Sequence, residues 1–590
     1  MLIHSCTHCK KRFAIPDDAI TFYQNMHVPP PVACPSCRLR RRMTFTNERT
    51  LYSSTCGLCK KPIITMYHPS SPFPVYCKSC WWSDNWDPLN CGKPYDFSTP
   101  FFEQFHELKK RVPRCNLVQE GMMEGSEYCN RATNNKNCYL CFRSTNNEDC
   151  LYSHPIVDSR DCVDCYNIQK SERCYGCSDC LHMYNCRFCK ESQNCTDSAF
   201  LYDCRGCSNC FGCVNLRNQQ YQIFNKPYSP EEYRKKVAEL FDGSSSALER
   251  AKKQFAEFSV GYIRPSIVSS RSEDVSGNWV YESKSVKNSF MCRNVEGGEN
   301  LFFIIQAKDC KDFFHFGRDC ELIYETSNCG LQCSNIAYCN EVFSNSSNLR
   351  YCDGCFNTSN CFGCVGLRKG SYCILNTQYA EDEYHALAPK IIEHMNDMPY
   401  RDSREREYRF GSGFPSELSP MCYNETVAQE FFPLTKDEAR HQGYAWRDAE
   451  TKDVMVSKPA STLPEIIQEV DDSILKEIIG CVHEGSCQEQ CTRGFKIIRK
   501  ELEFYRSMNI SLPRLCPNCR HYQRLAGRPS IFLTERQCAC AGTQSQNDVY
   551  KNTTLHTHGT APCTSQFETV YSQDAAAIVY CKECYSAEIV

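Results

Sequence analysis

Two Cys-x-x-Cys knuckles joined by a short hairpin offer four thiolates at the tetrahedral angles zinc prefers. The chain begins with two such sets: Cys6/Cys9 with Cys34/Cys37, and Cys56/Cys59 with Cys77/Cys80. Its other end offers two less regular ones. Cys487/Cys491 faces Cys516/Cys519 with three residues inside the first knuckle, and Cys538/Cys540 faces Cys581/Cys584 with one. Each set supplies four protein ligands and leaves no open position for water, so the ions are expected to be structural rather than catalytic. His556, His558 and Cys563 add a His-x-His and a thiol close to the last set. They could build an extra half-site or replace a ribbon ligand, and a solvated loop is the bland alternative. About four Zn2+ ions are expected, or five with the extra site, each contributing roughly 10–16 kcal/mol to hairpins that have little core.

Other chemistry is not legible. There is no phosphate-binding glycine loop, dinucleotide fingerprint, nucleophile elbow or His-Glu-x-x-His, and no nucleophile pairs with a base. No enzymatic activity is expected. Asp471-Asp472 and His441 would be the first places to look for one.

The elements that must position these ligands are duplicated. Cys9, Phe13, Ile15, Tyr23, Cys34, Pro35, Cys37, Arg38 and Cys56 recur 482 positions later, at Cys491, Phe495, Ile497, Tyr505, Cys516, Pro517, Cys519, Arg520 and Cys538. Beyond Cys538 the offset grows to 504, so that Thr65, Tyr67, Cys77 and Cys80 return as Thr569, Tyr571, Cys581 and Cys584. A 22-residue insertion therefore separates Cys538 from Thr569. A second repeat lies in the middle: Ser208–Arg217 recurs 151 positions later as Ser359–Arg368. Each copy leads into a helix, the first opened by Ser229-Pro230-Glu231-Glu232 (a cap, a proline and two first-turn acids) and the second beginning near Glu381.

Between the ribbons, 16 cysteines run from Cys129 to Cys213, every gap a multiple of three. Cys138, Cys150, Cys162, Cys174 and Cys186 are spaced by 12. A fixed 12-residue period suggests a solenoid of short coils. Cysteine would point inward, and Asn137, Asp149, Asp161 and Asn185 would sit at corners where left-handed backbone is tolerated. Tyr139, Tyr152, Tyr166 and Tyr175 could form a ladder. Zinc and iron–sulfur ligation compete with packed thiols here, since Cys204-x-x-Cys207-x-x-Cys210-x-x-Cys213 is spaced like a cluster run. The second copy argues against a shared cluster, because Cys207 aligns with Thr358. The second segment, Cys292 to Cys373, has 11 cysteines and looser spacing.

The fold expected is thus mainly β and internally duplicated: small zinc ribbons at both ends, central cysteine-rich β-solenoid segments, and intervening helices. In order these are zinc ribbon 1 (1–50), zinc ribbon 2 (51–115), solenoid 1 (116–228), a helical segment (229–275), solenoid 2 (276–380), helix and connector (381–480), zinc ribbon 3 (481–530) and zinc ribbon 4 with its insertion (531–590). An amphipathic helix from Ile466 to Ile479 is expected in the connector.

Two features bear on a partner. Arg38, Arg40, Arg41 and Arg42 follow a knuckle, where ribbons often present basic strips to phosphates; a solvated helix face is the alternative. Trp81, Trp82 and Trp86 could stack bases, or cap a small core. The net charge of −3 makes the 590-residue chain as a whole no polyanion binder. With 48 cysteines, no signal-peptide pattern and no membrane-length apolar run, a reducing cytoplasm is expected, where thiols persist as ligands or packing groups.

The stretches Cys34-Pro-Ser-Cys-Arg, Asn47–Tyr52, Tyr76–Trp82, Asn209–Arg217, Tyr423–Glu430 and Glu501–Tyr505 resemble a family of multi-zinc-ribbon, cysteine-rich proteins encoded by small-genome uncultured bacteria. The resemblance spans nearly the whole chain and implies ribbons, but no activity. Some members carry an automatic CoA-transferase label, which none of these residues supports. The expected role is a zinc-binding, non-catalytic scaffold that contacts a nucleic acid or a protein, with no membrane and no small-molecule substrate. The alternatives are a redox or metal-handling protein using the central cysteines, and a protein–protein adaptor.

Overall fold

The computed structural model describes residues 2–284, 286, 289–293, 295–296, 307–308, 320–321, 324–330, 337–343, 345–448, 454–543 and 550–589. Among them the fold is mixed, with twelve α-helices and many small sheets, rather than mainly β. The chain divides into two units. One comprises residues 1–117, 267–447 and 531–533; the other comprises 118–266, 448–530 and 534–590. Each unit therefore joins a cysteine-knuckle pair to the cysteine-rich segment that does not follow it directly in the chain.

In the second unit, the cysteine-rich segment pairs with itself in parallel at a register of twelve. Ile156 lies between Ser144 and Ile168. Outside the named strands the same spacing continues as single bridges, Tyr139 to Leu151 to Val163 to Tyr175. Six strands between Gln119 and Leu181 form one sheet in chain order. The backbone turns into the left-handed region at nearly every third residue, Pro155 being an exception, and the four expected corner residues, Asn137, Asp149, Asp161 and Asn185, have φ of 56°, 54°, 48° and 51°. Asn and Asp tolerate that region. Leu140, Phe188 and Phe200 adopt it too, against a cost of roughly 1–2 kcal/mol each. The ladder offsets that cost: Phe188 N, for example, donates to Tyr175 O at 2.8 Å.

After each corner a side chain points inward. Most of these are cysteines, and those of this segment form a buried cluster with Ile156, Ile168, Met183 and Leu201. Serine takes the same slots. Cys165 Sγ donates to Val163 O at 3.4 Å and to Cys174 O at 3.5 Å; Ser153 Oγ donates to Leu151 O at 3.0 Å. Burial pushes the Cys165 and Cys180 thiols well above their ordinary range. The aromatic rows differ from the expected ladder. Tyr139 meets Tyr152 at 5.7 Å, but Tyr175 continues through Phe188 and Phe200 to Phe211, and Tyr166 meets His154 edge-on.

The helix that follows, Pro230–Leu240, starts at the expected cap, where Ser229 and Glu232 bond reciprocally as a capping box. The expected helix from Ile466 to Ile479 does not form. Two short 3-10 turns, Ile467–Glu469 and Asp472–Lys476, stand there instead. The Asp471 carboxylate accepts from Ser473 N, a local cap that starts a new turn within the apolar pattern.

In the first unit the described residues of the second cysteine-rich segment repeat the parallel pairing less regularly. Thr326 and Asn340 pair thirteen residues on, with Cys339 and Asp353, while Leu349 and Cys361 pair twelve on. Residues 297–306, 309–319 and 331–336 of this segment, with Cys310 and Cys333, lie outside the described residues. The helix Phe101–Arg111 packs Phe101, Phe102 and Phe105 against Tyr351 and Phe362. The helix Glu381–Asp397 begins where the sequence suggested.

Candidate metal centres

Each knuckle pair is built by a hairpin and a helix start. In the first, the strands Leu2–Ser5 and Arg12–Ile15 carry Cys6 and Cys9 on their turn. Cys34 caps the helix Pro35–Met43, with Pro35 at its first position, which places Cys37 one turn inside the positive end of the helix. Cys6, Cys9, Cys34 and Cys37 converge with all ligand atoms within 4.8 Å of one another. Cys56, Cys59, Cys77 and Cys80 do the same, with Cys77 capping Lys78–Trp81. A tetrahedral zinc with Zn–S near 2.3 Å has S···S edges of about 3.8 Å. Cys9–Cys34 measures 3.7 Å and Cys59–Cys77 measures 3.9 Å.

A backbone signature marks the first thiol of each group. Cys34 N donates to Cys6 Sγ at 3.3 Å, and Cys77 N donates to Cys56 Sγ at 3.3 Å. Such donors favour thiolate. Desolvation raises the Cys56 thiol, but the backbone N–H groups of Cys77, Cys59 and Leu58 outweigh it and bring it to about 6. A hydrogen bond from Cys37 takes Cys34 down to about 5.

The same signature identifies the third group. Cys516 N donates to Cys481 Sγ at 3.3 Å, and Cys481, Cys491, Cys516 and Cys519 form the converging set. Cys481 follows the strand Ile479–Gly480 just as Cys6 follows Leu2–Ser5, and its N–H bonds Arg493 O as that of Cys6 bonds Lys11 O. Cys481 thus takes the place that spacing assigned to Cys487. The knuckle has lengthened, and the ligand stays with the strand end rather than with the nearest thiol. Cys487 sits beside the set, 3.7 Å from Cys519 Sγ. The sequence held a signal for this, since Ile479 precedes Cys481 as Ile3 precedes Cys6 at similar distance. His483 pairs with Glu489 at 3.2 Å.

In the fourth group Cys581 N donates to Cys538 Sγ at 3.1 Å. The set is Cys538, Cys563, Cys581 and Cys584, all buried. Cys563 takes the place expected for Cys540. The Cys563 N–H bonds Cys540 O at 2.8 Å, which fixes the inserted loop against the knuckle. Cys540 instead joins His556, His558 and Cys584 in a further converging set.

The arginines do not form a surface strip. Arg38, Arg41 and Arg42 are buried. Arg38 donates to Ala33 O at 2.8 Å and faces Glu325 at 3.6 Å; Arg41 bonds the same carboxylate. Arg40 lies over Phe432 and Tyr444, 6.0 and 5.6 Å from the ring centres. They hold the knuckle helix against its own unit, so the expected polyanion contact is corrected to an internal one. Arg520, the repeat of Arg38, does the same in the second unit, donating to Asp164 at 2.6 Å. Trp81 is likewise internal, its indole N–H bonded to Pro113 O at 3.1 Å. His441 ends a short helix, and Asp472 is an exposed partner of Arg499 and Arg506.

Searches against protein-family models and curated proteins return no match for this chain. Several of these cysteine groups could hold a metal ion. The cysteines whose side chains are described, among them every member of these groups, form no disulfide, and no described helix is long and apolar enough to cross a membrane.

Proposed function

We propose that the chain is a zinc-dependent binding scaffold without catalytic activity. In it, four ribbon-type centres hold the knuckle pairs against two cysteine-lined β-solenoid segments. One observation carries this reading: every ribbon-type group closes around its centre with four protein ligands, anchored by the same backbone N–H to sulfur bond. Such closure suits a structural ion and leaves no position for substrate. Zinc fits thiolates at these edge lengths and needs no redox partner. The interchange of cysteine and serine inside the twelve-residue repeats supports packed thiols there, since serine would not serve a thiolate cluster.

The partner is a macromolecule. Because the knuckle arginines are engaged internally, a protein partner is favoured over nucleic acid. Free thiols among the described cysteine side chains suit a reducing cytoplasm. The resemblance to multi-zinc-ribbon bacterial proteins agrees with this reading and adds no activity to it.

Elemental mass spectrometry of anaerobically purified full-length protein, with an absorption spectrum, tests it. At least about four zinc ions per chain, one per closed group, and a colourless solution are expected. Iron with visible absorbance would overturn it and move the function to the central cysteines.

A further inference from the structure

We propose that the insertion of the fourth ribbon builds a second metal site, fused to the ribbon centre through a shared Cys584 thiolate. One ion sits among Cys538, Cys563, Cys581 and Cys584, and the other among Cys540, His556, His558 and Cys584. The inference rests on the zinc reading above and deepens it.

The four atoms of the second set meet at metal-ligand edge lengths. Cys540 Sγ lies 3.3 Å from His556 Nδ1 and 3.5 Å from His558 Nε2, and His558 Nε2 lies 3.3 Å from Cys584 Sγ. A tetrahedral zinc with Zn–S near 2.3 Å and Zn–N near 2.05 Å has N···S edges of about 3.6 Å. Both imidazoles are held with a lone pair facing the sulfurs. His556 Nε2 lies 2.8 Å from Glu588 Oε1, where it can only donate to the carboxylate, so Nδ1 is left as an acceptor. His558 Nδ1 lies 2.7 Å from Ala561 O and must donate as well, leaving Nε2 bare. A carboxylate or carbonyl behind each imidazole is the arrangement that orients metal-bound histidine.

The sulfur side matches. Asn552 Nδ2 donates to Cys540 Sγ at 3.1 Å, and the Tyr580 hydroxyl donates to Asn552 Oδ1 at 2.8 Å, so Cys540 is already used as an acceptor, as a thiolate would be. As neutral thiols, Cys540 and Cys584 would satisfy these buried nitrogens only through weak S–H donors. A divalent cation of zinc's kind satisfies all four. Seven donors in two overlapping tetrads are too many for one tetrahedral ion, and Cys584 is the only donor common to both. The second ribbon has no counterpart, because the inserted residues are absent there.

The experiment uses full-length protein, with metal content read by native and elemental mass spectrometry. The double substitution His556→Gln/His558→Gln is expected to lose one zinc per chain. In the cobalt-substituted wild type, magnetic coupling between two Co2+ ions is expected, with a metal–metal vector in X-ray absorption in the range of about 3.5–4 Å typical of two-metal sites. Should the double variant fold poorly, Glu588→Gln serves instead: zinc affinity at one site falls by about 10–100-fold while the others are unchanged. An unchanged zinc count in the double variant, or unchanged affinities in Glu588→Gln, overturns the inference, as does uncoupled cobalt. These results differ from failure of the scaffold reading, in which zinc would be missing from the N-terminal groups too.

Discussion

Replacing Arg520 with methionine tests whether the ribbon arginines are internal clamps. The guanidinium lies 2.6 Å from Asp164 and 3.3 Å from Glu501, with the Tyr505 hydroxyl at 2.9 Å and the Tyr152 ring 4.6 Å from its centre. The two carboxylate side chains are 4% and 0% exposed, so neither can turn to water when its partner is lost. Burial already raises Glu501 above the usual carboxylate range, with Arg520 the chief opposing influence. Breaking a buried pair by removing one partner costs about 3–5 kcal/mol, a large part of the roughly 5–15 kcal/mol that stabilises a typical domain. With a urea m-value of about 3 kcal/mol/M, the unfolding midpoint should fall by roughly 1 M or more. The assay is urea unfolding of the zinc-loaded full-length protein followed by circular dichroism. Arg520→Lys should recover part of the loss, since one ammonium cannot span both carboxylates. Adding Glu501→Gln to the methionine variant should recover part of the loss, because that buried carboxylate is then no longer left unpaired, while Asp164 keeps Arg524 at 2.8 Å. A methionine variant within about 0.5 kcal/mol of wild type, the range of a bland surface substitution, would refute the clamp.

The remaining predictions address the other sites. Cys481→Ser should remove one zinc per chain, whereas Cys487→Ser should leave the zinc count unchanged; the reverse result in metal analysis would return the ligand to Cys487. Cys165→Ser should keep every metal ion and cost no more than about 1–2 kcal/mol, because serine makes the same inward bond elsewhere in the repeat; loss of metal would reveal a ligand there. Asp353→Asn should destabilise the chain by about 3–5 kcal/mol near neutral pH, since it strands Lys109 and Arg114, bonded at 2.9 and 3.1 Å. Although desolvation raises Asp353, Lys109 and Arg114 hold its carboxyl below the ordinary range. A depressed folded value means the stabilisation is present above the unfolded value of about 3.9 and is lost as pH falls below it. The gap between wild type and Asp353→Asn should therefore narrow on acidification from pH ~5 to ~3, zinc release being common to both; a constant gap in urea midpoints would contradict it.

Much of the chain's construction is written locally. Knuckle spacing, the cap at Ser229 and the twelve-residue cysteine period all depend on near neighbours in the chain, and the repeats are legible by comparing the sequence with itself. The left-handed corners at Asn137, Asp149, Asp161 and Asn185 follow from the tolerance of those side chains for that backbone, which no distant contact needs to enforce. Spacing failed where a ligand depends on where a strand ends in space. Cys481 lies six residues before Cys487, yet it occupies the position of Cys6; Cys563 arrives from an inserted loop and displaces Cys540 toward the two histidines. A four-ligand centre selects whichever donors converge, and convergence is a property of the folded hairpin rather than of the interval between cysteines. The arginines illustrate the same limit. Arg38 and Arg520 look alike as basic residues beside a knuckle, and only the buried carboxylates Glu325 and Asp164, which lie hundreds of residues away from them in the chain, make them internal clamps. Tertiary structure also decided which knuckle pair joins which cysteine-rich segment, because that pairing joins stretches of chain that sequence order keeps apart.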